Sequence, residues 1–207
     1  MTRRIVGLTG SLGVGKSTVS GMLTELGIPV FDADRAAHQV LAPGSAVVEQ
    51  LHQRYGDGIV DSLGRVNRAQ LATMIFGDPQ EKQWVEDQIH PLVRHAAQDF
   101  LERWTTATVV VLDVPLLIEA QMTDLVSEIW VVTCPAAQQW ERVHRRHPQW
   151  TEAEFQQRLA QQLPQDEKVH WATHVVDNSG SLAALRAQVM LALNSPPDAP
   201  KDEPDSL

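Results

Sequence analysis

Residues 10–17 read G-S-L-G-V-G-K-S and satisfy the pattern G-x-x-x-x-G-K-[ST] at every fixed position. The chemistry explains the residue types. Glycines let the backbone wrap closely round a phosphate so that successive N–H groups point inward, and a following helix adds the positive end of its dipole. Lys16 would bring a mobile point charge to the β- and γ-phosphates, and Ser17 a hydroxyl for Mg2+. Leu12, Gly13, Val14, Gly15, Lys16, Ser17 and Thr18 are therefore expected to contact ATP. A GTPase would carry N-K-x-D, yet no asparagine in this chain is followed by lysine. A small nucleotide-dependent kinase is the economical reading.

Such an enzyme needs a carboxylate that can accept a hydroxyl proton or hold the hydroxyl in line. Asp32 and Asp34 follow a short apolar run, 28–31, where open α/β sheets bind ligands. The two could divide the work between the substrate hydroxyl and the metal's water shell, or one could cap the helix that begins near Arg35. Asp113 ends another apolar run, where it is either metal-directed or a simple strand terminator. Arg142, Arg145, Arg146 and Arg158 read either as a lid that neutralises phosphoryl charge or as a solvated helix face. Among these, Arg142 lies best for the phosphates. Eight histidines form no H-E-x-x-H, so a histidine-rich metal site is not expected.

The elements that must position these groups alternate. Residues 4–8 read as a buried strand, 17–26 as a helix and 28–31 as a second strand. From 35 to 104 the pattern turns helical. Helices are expected over 45–55, over 68–76 with Asn67 as cap, and over 79–104 with a kink or break at Pro91. The β-branched run 108–112 is the candidate central strand, 128–133 and 174–176 are two more, helices over 136–146 and 151–162 lie between those last two, and 181–193 is a terminal helix. The fold class is α/β, a P-loop kinase fold with a parallel sheet of about five strands covered on both faces. One domain, 1–194, would comprise core segments 4–34 and 105–135, a helical substrate-binding region 35–104, a lid 136–172 and a last strand and helix 173–194. The tail 195–207, with four prolines and four acids against one lysine, is expected to be disordered.

Bulk properties narrow the partners. A net charge of −9 over 207 residues gives no basic footprint for nucleic acid or an anionic membrane. A single cysteine excludes an internal disulfide, and no apolar run approaches a membrane span. A cytoplasmic, monomeric enzyme is expected.

In order and spacing, the P-loop, F-D-A-D at 31–34, I-H-P-L-V-R at 89–94, V-P-L-L-I-E at 114–119 and D-N-S-G at 177–180 resemble the dephospho-CoA kinase family over residues 4–193. The P-loop is generic; D-A-D, I-H-P and P-L-L-x-E are diagnostic together. The resemblance implies transfer of a phosphoryl group from ATP, with Mg2+, to the ribose 3′-hydroxyl of dephospho-CoA. It implies Asp34 as base, with Lys16 and the lid arginine Arg142 stabilising the moving phosphoryl. It further puts His90, Leu116, Leu117 and Glu119 on the substrate side, with Arg146 and Asn178 near the nucleotide. Ser11 stands where a glycine is common, Ile118 where phenylalanine is, and 147–150 form an unusual lid tip. A kinase of another nucleoside or sugar-like alcohol, or a nucleotide-binding regulator, are the competing readings.

Overall fold

The computed structural model describes residues 3–195; the tail expected to be disordered lies, apart from Ser195, outside the described residues. The chain divides into two compact units, one comprising Met1–Phe31 and Leu101–Leu207, the other Asp32–Phe100.

The first unit carries the sheet. Its strands are β1 (Arg4–Thr9), β2 (Val30–Asp32), β3 (Val109–Asp113), β4 (Glu128–Thr133) and β5 (His174–Asp177), in the order β2-β3-β1-β4-β5. The pairs β1–β3, β1–β4 and β4–β5 are parallel. The strand expected at the centre, β3, lies one place off it, and β1 takes the middle. Apolar composition reports burial on both faces, which β1, β3 and β4 share, so it cannot rank them. Val6, Leu8, Val111, Trp130 and Val132 pack with Val19 and Leu23 of α1 (Lys16–Glu25) and Leu185 and Val189 of the last helix, Leu182–Asn194.

Two tethers hold this frame. Arg4 pairs bidentately with fully buried Glu128 (2.5 and 2.8 Å) and donates to the carbonyls of Ala192 and Leu193. One guanidinium thus joins the central strand, its neighbour and the negative end of the terminal helix. The Glu128 contact also holds the Arg4 pKa above its ordinary value. The second tether lies in the segment 136–172. After α2 (Ala33–Val40), α3 (Ala46–Tyr55), α4 (Arg68–Phe76) and α5 (Pro79–Arg103), the chain forms α6 (Ala136–Arg146), α7 (Glu152–Leu159) and α8 (Gln165–His170), which makes the terminal helix α9. Helix α8 was not expected. It is six residues long, too short for a periodicity to register, and it exists to bury Lys168, whose Nζ reaches Glu119 at 2.7 Å and the Pro115 carbonyl at 3.0 Å.

The second unit is mainly helical, with Val47, Leu51, Ile59, Leu71 and Val85 at its core. Asn67 caps α4 as expected, accepting from the Gln70 amide. Pro91 neither breaks nor divides α5, which is continuous over 25 residues. Proline removes one helical hydrogen bond, and here Pro91 and Asp87 are both exposed, so water can satisfy the carbonyl left behind. A bridge between Val60 and Val66 adds a small turn that a purely helical reading of 35–104 did not contain.

Candidate active site

The phosphate loop runs from the end of β1 to the start of α1, and its shape is imposed from behind. Gln139 Nε2 donates to the Leu12 carbonyl at 3.2 Å; Arg142 Nη1 and Asn178 Nδ2 both donate to the Val14 carbonyl, at 3.0 and 2.8 Å. In a trans peptide the following N–H points opposite to the carbonyl. Pinning these two carbonyls outward therefore turns the Gly13 and Gly15 amides the other way, as an anion cradle requires. Gly13 (φ 84°) and Gly15 (φ 91°) both occupy left-handed backbone. A Cβ at Gly13 would sit 2.8 Å from the Gln139 carbonyl, and one at Gly15 would collide with the Asn178 side-chain nitrogen. Glycine is needed twice over, for conformation and for close approach.

Lys16 opens α1, and its Nζ is ion-paired with Asp113 Oδ1. Asp113 is 6% exposed at the end of β3. It ends β3, as expected, and there it pairs with the loop lysine along the sheet's carboxyl edge. Only the pairing of β3 with β1 brings the two residues together, and no sequence spacing announces it. Ser17, in the first turn of α1, is exposed. Among the described residues no cluster of three His, Cys, Asp or Glu could hold a metal. The donor set fits a Mg2+ that arrives with the nucleotide and takes one or two protein oxygens, with phosphates and water supplying the rest.

Beside the loop lies a cavity of about 330 Å3 lined by Gly15, Thr18, Arg142, Arg146, Asn178 and Gly180. Its volume is at the lower end of the range for small-molecule sites, about 300–1,000 Å3. Arg142 is braced by the carbonyls of Val14 and Asn178 and by Gln138 Oε1, so its guanidinium plane is fixed as a wall. Arg145 is taken by Glu141, whereas Arg146 has no ion-pair partner among the described residues. Cys134 lies 4.0 Å behind the Gly13 carbonyl, and burial pushes its thiol pKa up, which suits packing rather than reactivity. Ser11, in a glycine's usual place, has a buried hydroxyl without a partner among the described residues. The segment 147–158 packs on itself: His147 stacks on Trp150 at 4.4 Å, and Arg158 lies over the same indole at 4.2 Å.

The remaining sequence-derived residues separate by unit. Leu117 is fully buried, against Gly7 of β1, so its side chain belongs to the core. Glu119 accepts from Lys168 and from the Leu163 amide (2.9 Å), which ties the loop after β3 to α8 and the turn before it. Leu116 is half-buried beside them in sequence. In the helical unit, Asp32 accepts from the Arg35 amide at 2.9 Å and so caps α2, the alternative role weighed for it. Asp34 stands exposed in the first turn of α2, and His90 is half-buried on α5.

The model of a family described as dephospho-CoA kinase matches residues 4–184. A dephospho-CoA kinase of Gloeobacter violaceus is 46% identical over 194 residues, covering 94% of this chain and 93% of that protein. Among solved structures, TT1252 from Thermus thermophilus superposes with a TM-score of 0.81 at 33% identity, over 95% of this chain and all of that one. The dephospho-CoA kinase from Campylobacter jejuni gives a TM-score of 0.62 at 20% identity, over 92% and 96%, and shares the fold.

Proposed function

The chain belongs to the dephospho-CoA kinase family, and from that premise we propose how its residues divide the work of making coenzyme A. The enzyme is a kinase that phosphorylates dephospho-CoA with ATP. The observation that carries the reading is the loop 10–17, complete in sequence and backed by side chains that turn its amides toward an anion, on a chain that matches the family along nearly its whole length.

In the reaction the 3′-hydroxyl oxygen of the acceptor ribose forms a bond to the γ-phosphorus as the bond to the β-phosphate oxygen breaks, leaving ADP. The transition state is loose, so the protein mainly positions groups and stabilises charge. The Gly13 and Gly15 amides and Lys16 hold the phosphates; Lys16 exchanges Asp113 for the γ-phosphate, and the buried carboxylate keeps the lysine on the correct edge until then. Ser17 and, through water, Asp32 would hold Mg2+, which would neutralise phosphate charge. Arg142 and Asn178 wall the nucleotide cavity with Gly15 and Thr18 at its loop side, and Arg146 supplies the unpaired positive charge there; the backbone of Leu12 and Val14 completes the loop. Asp34 orients the hydroxyl and takes its proton. His90 and Leu116 face the acceptor, while Leu117 and Glu119 fix the frame from which Leu116 projects. The protein works as a monomer in the cytoplasm with no nucleic-acid or membrane partner; among the described residues no helix is long and apolar enough to cross a membrane.

Single-turnover phosphorylation across pH and Mg2+ concentration tests the two acids. Asp34→Asn should lower kcat by about 10²–10⁴ with ATP binding nearly unchanged, toward the lower end because a loose transition state demands little early proton transfer. Asp32→Asn keeps an equally good helix cap and should alter Mg2+ dependence instead. If the acidic limb of the pH profile vanishes in Asp32→Asn and survives in Asp34→Asn, the roles are reversed.

A further inference from the structure

Helix α7 ends at Leu159, although the pattern over 151–162 reads as helical throughout. Pro164 explains the early stop, because a proline disfavours helical backbone at the residue before it, here Leu163. The stop frees two neighbouring residues for other partners. The Leu163 amide donates to Glu119 Oε1 at 2.9 Å. Half-buried Gln162 turns to the phosphate loop instead, where its Oε1 accepts from the Leu12 amide at 3.0 Å. The turn that carries it is anchored independently of that contact. Glu119 and wholly buried Lys168 pair at 2.7 Å, Lys168 donates to the Pro115 carbonyl, and Thr9 Oγ1 donates to the same carbonyl at 2.9 Å.

Leu12 is thereby held at both its backbone polar atoms, the amide by Gln162 and the carbonyl by Gln139. The two partners do different things. Gln139 fixes the Leu12–Gly13 peptide and so aims the Gly13 amide at the anion, whereas Gln162 fixes the preceding peptide, Ser11–Leu12. The carbonyl of that peptide meets only the Val14 amide, at 3.3 Å and within the loop. The Ser11 hydroxyl has no partner among the described residues and gives it no support. Among the described residues Gln162 is thus the one hydrogen-bonded anchor this peptide has from outside the loop. An N–H left free one residue before the cradle would compete for the same phosphate oxygens, and the peptide would turn with it. Resting on the function proposed above, we infer that Gln162 is a positioning residue for phosphoryl transfer: it engages the Leu12 amide and so fixes the entrance of the phosphate loop, leaving Gly13 to present the first amide of the cradle. Gln162 touches no reacting atom and acts through Leu12. The amides of Lys16, Ser17 and Thr18 open α1 beyond Gly15 and keep their direction without it, so ground-state binding of ATP persists. Its effect falls on the transfer step.

Two substitutions separate anchoring from packing. Gln162→Leu keeps the bulk and removes the acceptor, and Gln162→Glu keeps an acceptor oxygen and adds a charge. In Gln162→Leu, kcat with dephospho-CoA should fall about 10–100-fold while KM for ATP stays within about threefold. In Gln162→Glu, kcat should return to within about fivefold of wild type while KM for ATP rises, because the added carboxylate repels the nucleotide's phosphates. Amide hydrogen exchange gives a readout independent of activity. The Leu12 amide should exchange about tenfold faster or more in Gln162→Leu and stay protected in Gln162→Glu, with the Val6 and Val111 amides of the sheet unchanged in both. A wild-type kcat in Gln162→Leu, an equal fall in the two variants, or an unchanged Leu12 amide overturns the inference. Lost protection at Val6 and Val111 in Gln162→Leu makes the role structural and overturns it too. Failure of the wild-type enzyme to phosphorylate dephospho-CoA overturns the function itself, a separate outcome read in the same assay.

Discussion

In the sheet-bearing unit, Arg4–Glu128, Lys16–Asp113 and Lys168–Glu119 are ion pairs whose side chains are at most 20% exposed, and Lys168 and Glu128 are wholly buried. In the helical unit, Arg54–Glu81 and Arg65–Asp61 range from 26% to 64% exposed. A buried pair is a poor source of net stability but a strong constraint, since a member left alone is heavily penalised. An exposed pair constrains little. The first unit therefore uses its buried pairs to fix positions round a phosphate loop, beside exposed ones such as Arg145–Glu141, whereas Arg54–Glu81 and Arg65–Asp61 of the second lie nearer the surface.

The comparison breaks most sharply at Lys168. Lys168→Met strands Glu119 in a largely buried site and should destabilise the protein by about 3–5 kcal/mol, measured by denaturant unfolding. Adding Glu119→Leu should return much of that loss, because the stranded carboxylate is the cause. No recovery in the double variant would mean that packing, not charge, is what Lys168 provides.

Lys16 sharpens the contrast within the same unit, because its pairing serves a ligand rather than the fold. Lys16→Ala should reduce kcat by about 10²–10³. The variant also leaves Asp113, whose side chain is 8% exposed, without its ion-pair partner, so the melting temperature should fall as well. Near-normal turnover in a folded Lys16→Ala protein would remove the loop from catalysis.

The smallest effect is expected at Glu81. Its carboxylate accepts from Arg54 and from the Tyr55 hydroxyl, and Arg54, with Tyr55 second, lowers its pKa from 4.5 to about 2. Folding lowers this pKa, so the contribution is complete above about pH 4.5 and is lost as pH falls toward 2. Glu81→Gln should shift the melting temperature by no more than about 2 °C near neutrality, and the gap should close through that acidic window. A gap that persists to pH 2 would assign the effect to packing against Tyr55 and Trp84.

What could be read in advance follows the same division. The loop 10–17 was legible because its chemistry is local: eight consecutive residues carry the glycines, the lysine and the hydroxyl. The strand and helix boundaries were legible wherever period and cap coincide, as at Asn67 and in β4. The partners that shape the loop were not. Gln139 carries no motif, and Asp113 meets Lys16 only because β3 lies next to β1. Leu117 and Glu119 belong to a diagnostic sequence, yet one fills the core and the other ties down Lys168. A motif marks residues that depend on one another without saying which of them meets the ligand.

The central place of β1 has a consequence for synthesis on the ribosome. Val6 pairs with Val111 on one side and Glu128 on the other, so β1 acquires both neighbours only after about a hundred further residues have been made. At about 5–20 residues per second, that delay is on the order of ten seconds. The intervening segment 32–100 has a core of its own, assembled from contacts nearer in sequence, and can organise while β1 waits. The phosphate loop waits longer still, because Arg142 and Asn178, which turn its amides inward, emerge near the end. The phosphate loop is thus made well before the residues that give it its shape, and a nascent chain cannot hold it in that shape until they have emerged.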